Sequence, residues 1–265
     1  MADIPSIELF SIGTELIMGQ IQDTNSRWIA QQILEIGGKL RRVTIIPDSS
    51  EQIIQALDES VKRYTDFIIT TGGMGPTPDD VTIKAVAELI GSELVLHEPI
   101  FQHFMEKRKI KKREDASQGM IKMATVPKDA EVYQNPVGWA PCIIVQKEKS
   151  TIFILPGPPK EMKQLFTYAV KPFIAEQCNT NAVVQRIVVN MYESEVSPFL
   201  QKVMQKYPQT YLKAYVALKD PTTSYLPIDI VATGENSQNA QDILKSALDY
   251  LEKMITEYGK SLKLN

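Results

Sequence analysis

Cysteine and histidine are scarce: Cys142 and Cys178, His97 and His103 are all that 265 residues contain. The cysteines form no C-x-x-C pair, and neither histidine stands in an H-E-x-x-H or cysteine-rich setting. A zinc site and a disulfide framework are therefore not expected, and a reducing, cytoplasmic compartment is the simplest reading. No G-x-S-x-G elbow, Walker A loop or G-x-G-x-x-G fingerprint occurs, which argues against a serine hydrolase and the common nucleotide folds. Long apolar runs are missing too. Cys142–Val145 and Ile152–Leu155 fall far short of the ~20 residues of a spanning helix. The first residues, Met1-Ala2-Asp3-Ile4-Pro5-Ser6, have neither a basic region nor a long apolar one, so no secretory signal is expected. Nor is there an excess of positive charge: 29 Lys and Arg against 32 Asp and Glu give a net charge of −3. A protein built to grip nucleic acid or an anionic membrane would differ. What remains, 43% hydrophobic and 23% charged residues, is an ordinary globular chain with ample material for a core.

Apolar periodicity orders the first part of the chain. Ile7–Ile12 reads as a buried strand, and Ile29, Ile33 and Ile36 repeat at helical spacing before Gly37-Gly38. Arg41–Ile46 is the next strand. Ser49 with Gln52 fits a capping box ahead of Ile53, Leu57 and Val61. Asp66–Thr71 is a third strand, with a helix expected from Pro78 to Leu89. Strands Cys142–Val145 and Thr151–Leu155 flank a hairpin turn, and a helix runs from Lys160 to about Glu176. This alternation predicts an α/β fold with a mostly parallel, three-layer sheet. Gln177–Asn181 reads as a linker. Strand Val183–Met191, helix Ser197–Lys206, strands Tyr211–Leu218 and Leu226–Thr233, and helix Ala240–Tyr258 then predict a small α+β domain. The expected boundaries are 1–176 and 182–265.

The strongest chemical signal is Thr71-Gly72-Gly73-Met74-Gly75-Pro76-Thr77-Pro78-Asp79-Asp80, between a strand and a helix. Glycines there let backbone N–H groups approach an anion, and strand ends are where open α/β sheets collect ligands. Two carboxylates beside a phosphate repel it unless a divalent cation bridges them, so Asp79 and Asp80 fit a metal–diphosphate site. The same residues also fit plain capping, with Thr77 as N-cap and Asp80 three residues on. A second loop, Gly13-Thr14-Glu15-Leu16-Ile17-Met18-Gly19, leaves the first strand and leads to Asp23-Thr24-Asn25, all good N-cap types. Glu15 is a ligand or metal carboxylate as readily as a surface one.

Four ordered motifs then amount to a resemblance. They are Gly13-Thr14-Glu15-Leu16…Gly19-Gln20-Ile21…Asn25, Gly72-Gly73-Met74-Gly75-Pro76-Thr77…Asp79-Asp80, Asn135-Pro136-Val137-Gly138…Ala140-Pro141 and Leu155-Pro156-Gly157-Pro158-Pro159…Glu161-Met162. Over roughly residues 5–175 the chain resembles the CinA-like, competence/damage-inducible family, whose N-terminal domain is similar to the MoaB/Mog molybdopterin-binding domain. The remainder resembles the small α+β domain that follows, and the nicotinamide mononucleotide deamidase domain of longer members is not expected. The resemblance implies a pterin or nucleotide ligand, or metal-dependent cleavage of ADP-ribose-like or dinucleotide diphosphates with Mg²⁺, Mn²⁺ or Co²⁺. It implies that Gly72, Gly73, Gly75 and Thr77 cradle phosphate, that Asp80, beside Asp79, is the principal catalytic and metal carboxylate, and that Glu15 and Asp48 are secondary. Gly13, Thr14 and Asn25 complete that side; Asn135, Gly138, Trp139 and the Pro156–Pro159 turn with Gly157 and Pro158 form the opposite wall. Trp139 and Cys142 depart from the family, which carries smaller residues there; the indole narrows the pocket or stacks on a base. A homo-oligomer, dimer or trimer, is expected.

Lys107-Arg108-Lys109-Ile110-Lys111-Lys112-Arg113 sets six cations in seven residues. It is a solvated helix face, or a source of cations that reach an anionic substrate; no interleaved aromatic favours nucleic acid. Cys142 reads as an inert core thiol and the methionines as core filler. Two function classes stay open, a metal-dependent pyrophosphatase and a binding module without turnover.

Overall fold

The computed structural model describes residues 5–178, 180–219, 223 and 225–264. Residues 1–4, at the expected signal-free N-terminus, and Asn179, inside the expected linker, lie outside them. The chain divides into two compact units, Met1–Leu34 with Gly38–Gln177, and Glu35–Gly37 with Cys178–Asn265. Among the described residues no helix is long and apolar enough to cross a membrane.

The first unit runs β1 (Ser6–Ile12), α1 (Thr14–Ile17), α2 (Thr24–Glu35), β2 (Lys39–Ile46), α3 (Ser50–Lys62), β3 (Phe67–Thr71), α4 (Thr82–Ile90), β4 (Leu94–Leu96), α5 (Glu98–Arg108), α6 (Gln118–Met123), β5 (Thr125–Pro127), β6 (Glu131–Tyr133), β7 (Cys142–Lys147), β8 (Ser150–Leu155), α7 (Pro159–Leu165) and, after a π-helical turn at Phe166–Val170, α8 (Lys171–Ala175). Six strands form one sheet in the order β2-β1-β3-β8-β7-β6. The first four are parallel and the last two antiparallel. Every residue of β1, β3 and β8 is buried, which is why these strands are rich in apolar residues and why their polar ones need partners. One core gathers Phe10, Ile12 and Ile68 of the sheet with Ile53, Leu57 and Val61 of α3 and Ile83 and Val86 of α4. The hairpin expected between β7 and β8 is present, with Lys147 opposite Ser150.

Polar residues inside the sheet have specific partners. Glu8, in the middle of β1, is 4% exposed and accepts from Nε and Nη2 of Arg63 at 3.0 and 2.7 Å and from Ser60 Oγ at 2.9 Å. Burial alone would raise the Glu8 carboxyl, but the bonds from Arg63 and Ser60 and the Arg63 charge hold it below the ordinary carboxylate value. Cys142 is fully buried, and burial pushes its thiol far up, so it is an inert core group.

The second unit contains β9 (Asn181–Val189), α9 (Glu193–Lys206), β10 (Thr210–Ala214), β11 (Leu226–Gly234), α10 (Ser237–Glu257) and β12 (Leu262–Leu264). Its antiparallel sheet has the order β10-β11-β9-β12. Ile187, Val189, Ile228 and Ile230 pack on Val196 and Leu200 of α9 and Leu251 and Ile255 of α10. The strand expected over Tyr211–Leu218 stops at Ala214 and gives way to a 3₁₀ turn at Val216–Leu218. Tyr215 N–H still donates to the Pro227 carbonyl at 2.9 Å, but Pro227 has no N–H to return, and the ladder ends.

Because each unit has its own apolar core, a fragment ending at Gln177 is expected to unfold in one cooperative urea transition. A fragment without tertiary near-UV signal would contradict an independent first domain.

Candidate functional site

The carboxyl ends of β1, β3 and β8 lie side by side, with Ser11 opposite Thr71 and Thr71 opposite Leu155. The loops that leave them border a cavity of about 560 Å³, the place where open α/β sheets bind ligands. Among the described residues six carboxylates line it, those of Glu15, Asp23, Asp48, Asp79, Asp80 and Glu161, and no lysine, arginine or histidine does.

The 71–80 loop owes its course to glycine. Gly72 has φ 110°, and a Cβ on it would lie 2.0 Å from the Ile12 carbonyl oxygen; Gly73 has φ 64°, and a Cβ on Gly73 would lie 2.2 Å from Thr82 Oγ1. Thr82 then fixes the start of α4. Its N–H donates to Gly73 O at 3.0 Å and its hydroxyl to Gly72 O at 2.9 Å. The helix expected from Pro78 to Leu89 thus runs from Thr82 to Ile90, and Thr77-Pro78-Asp79-Asp80 is a separate turn before it. In that turn Asp80 Oδ2 accepts from Thr77 N–H at 2.9 Å, and Asp80 N–H donates to Thr77 O at 3.2 Å. The capping pattern is real, but it closes a turn and caps no helix.

Thr77 Oγ1 also lies 2.5 Å from Asp79 Oδ1 and 2.6 Å from Asp80 Oδ2. One hydroxyl proton cannot serve two carboxylates at once, so this cluster of oxygens has more acceptors than protons. The Thr77 bond holds the Asp79 carboxyl below its ordinary range, and Lys122 nearby adds to this. Oxygen donors of this kind suit a hard divalent cation. Among the described residues no group of three or more His, Cys, Asp or Glu forms a metal-holding cluster. Asp79 and Asp80 could hold a cation only if water and phosphate oxygens supplied its other ligands.

On the first loop, Thr14 and Asp48 satisfy each other. Thr14 N–H and Oγ1–H donate to Asp48 Oδ2 at 2.7 and 2.9 Å, and Asp48 N–H donates to Thr14 Oγ1 at 3.2 Å. Glu15 folds its carboxyl over Gly13, where a Cβ would lie 2.6 Å from Oε1; Gly75 is covered in the same way by Asp80. Gly13 and Gly75 thus leave room for carboxylates; of the two, Gly75 is the one expected to cradle phosphate. Of the three N-cap types, Asp23 does the capping: Oδ1 accepts from Ser26 N–H at 2.9 Å, and Ser11 Oγ ties the same carboxylate to β1 at 2.8 Å. Asn25 donates to Thr71 Oγ1 and to the Gly157 carbonyl, which straps α2 to the ends of β3 and β8.

The opposite wall is organised by Glu161, which sequence reasoning left out of the site. Its Oε2 accepts from Asn135 Nδ2 at 2.7 Å and Trp139 N–H at 3.0 Å, and its carboxyl fills the space over Gly138. Asn135 Oδ1 in turn holds Gly138 N–H at 2.8 Å. The place of Glu161 in the Leu155–Met162 motif is the available signal. Gly157 and Pro158 also line the cavity.

Trp139 lines it too, but its ring is already engaged. Phe104 meets it edge-on with centroids 5.4 Å apart, and Lys107 and Arg108 stand 4.5 and 4.8 Å from its centroid. Lys107 also donates to Gly138 O at 2.6 Å, and Arg113 pairs with Glu98. These members of the basic run buttress the wall from behind, and none of the seven residues lines the cavity. Trp139→Thr is accordingly expected to cost about 2–4 kcal/mol in urea denaturation, as truncation of a packed aromatic does. An unchanged midpoint would return the indole to a ligand-stacking role.

Comparison with known proteins adds a family. Residues 8–176 match the family described as "probable molybdopterin binding domain". A CinA-like protein of Kosmotoga olearia is 33% identical over 95% of this chain, which spans 60% of that protein's length. A protein of Pyrobaculum calidifontis is 31% identical over 95% of this chain and 96% of its own. The crystal structure of the CinA protein of Thermoplasma acidophilum, whose function is given as unknown, superposes with a TM-score of 0.59 at 29% identity, over 64% of this chain and 98% of that one.

Proposed function

The chain belongs to the family of probable molybdopterin binding domains and is CinA-like, and on that premise we propose that its strand-end cavity binds a nucleotide or pterin diphosphate together with a divalent cation. The observation that carries this reading is the lining: six carboxylates and no cationic side chain. The only charged side chains that a diphosphate entering such a cavity meets are negative, and a metal would supply the counter-charge.

Asp80 and Asp79, with Thr77 between them, are the residues that would hold the cation, and Glu15, which folds over Gly13, is a further candidate. When bound, the cation screens the carboxylates and polarises phosphoryl oxygens. The chain's own part is to hold the phosphates against the 72–77 backbone, and to keep Asp48 and Glu161 occupied with Thr14, Asn135 and Trp139. The finer proposal is hydrolysis: water adds to one phosphorus of an ADP-ribose-like diphosphate, the bridging P–O bond breaks, and two phosphomonoesters leave. The test is mass spectrometry of ADP-ribose incubated with the full chain, with and without Mg²⁺, Mn²⁺ or Co²⁺, beside equilibrium binding. Loss of ADP-ribose only with metal supports hydrolysis. Metal-dependent binding without loss reduces the protein to a binding module, and neither binding nor loss, for nucleotide or pterin, overturns the reading.

A further inference from the structure

Among the described residues two buried side-chain polar atoms lack a hydrogen-bond partner, Nε2 of His103 and Oδ1 of Asn25. His103 does not line the cavity; Asn25 does, at an exposure of only 9%. The Asn25 amide has one workable orientation. Nδ2 spends one hydrogen on the Gly157 carbonyl at 2.8 Å and the other on Thr71 Oγ1 at 3.0 Å. The Thr71 hydroxyl gives its own hydrogen to the Pro156 carbonyl at 2.9 Å, so it can only accept from Asn25. Turning the amide over would set Oδ1 against the Gly157 carbonyl, acceptor against acceptor. Oδ1 is therefore left with its lone pairs unused, and a buried acceptor without a donor is a cost that calls for a reason.

We infer that Asn25 is a specificity-determining residue whose Oδ1 accepts a hydrogen bond from an amino group on the ligand's heterocycle. This rests on the reading that the cavity takes a nucleotide or pterin ligand. A phosphate oxygen cannot serve, because it brings lone pairs to lone pairs; Asn25 turns phosphates towards the 72–80 loop. Ile21 and Pro158, which line the same cavity, offer the apolar surface that a flat ring needs. Adenine and pterin share the required exocyclic amino group.

Equilibrium titration of the full chain in Mg²⁺ separates the two sources. One pair of probes is ADP and purine riboside 5′-diphosphate; the other is pterin and lumazine, and the second of each pair lacks the amino group. Whichever amino ligand binds is expected to bind at least about tenfold more tightly than its partner. That preference should vanish in Asn25→Leu, or in Asn25→Ser, too short to reach the same donor, if the leucine variant does not fold. Equal binding within a pair by the wild type, or a preference that survives in the folded leucine or serine variant, would overturn the inference while leaving the cavity reading intact. Failure of all four probes to bind the wild type would remove the cavity reading itself.

Discussion

Asp80→Asn is expected to reduce metal-dependent loss of ADP-ribose by on the order of 100-fold or more, because it removes a charged oxygen donor where the cation would sit. The same change should move stability by no more than about 1 kcal/mol. The asparagine carbonyl can still accept from Thr77 N–H, so the turn at 77–80 keeps its main tie. Asp79→Asn should be milder, since Asp79 is more exposed and its one side-chain bond is to Thr77. The measurement is paired: single-turnover cleavage at saturating Mg²⁺, and urea denaturation of each variant. A folded Asp80→Asn protein that cleaves like the wild type would reduce this carboxylate to a turn-forming role.

Arg63→Met should destabilise the fold by about 2–3 kcal/mol at pH 7. Removing one partner of a fully buried ion pair costs about 3–5 kcal/mol; the lower figure applies because the Arg63 side chain is itself one-third exposed. The penalty arises on the other side of the pair, where Glu8 in the middle of β1 would keep the Ser60 hydrogen bond and the weaker influence of the Arg42 charge. The sign of the pH dependence follows from the depressed Glu8 carboxyl. Its contribution is fully present above the ordinary carboxylate value of 4.5 and drains away as pH falls through the lower value in the folded protein. The gap in unfolding free energy between wild type and Arg63→Met should therefore be largest near neutrality and narrow below pH 4.5. A gap that stays constant on acidification would mean that Arg63 acts through packing and not through Glu8.

The parts of the fold that could be read in advance are those whose residues answer to one strong, local demand. β1, β3 and β8 are buried on both faces, so burial favours apolar residues along them, and their positions are plain in the chain. The three-residue strands β4, β5, β6 and β12 have too few residues to show a period. The start of α4 was misplaced because Thr77-Pro78-Asp79-Asp80 carries every local token of a helix N-terminus. Two bonds from Thr82 to Gly72 and Gly73 place the start instead, and they exist only once the loop has folded back.

The site divides along the same line. Gly72, Gly73, Gly75, Asp79 and Asp80 declare themselves in ten consecutive residues, since a strand end that turns into a helix leaves little choice of residue there. The partners of Glu161 lie 22 and 26 positions away, and those of Asn25 lie 46 and 132 away, so no spacing rule joins them. Sequence says that Gly13, Gly75 and Gly138 carry no side chain, but not what takes the room. The fold puts the carboxylates of Glu15, Asp80 and Glu161 there, because chain segments that close against one another choose each other's neighbours by shape and charge.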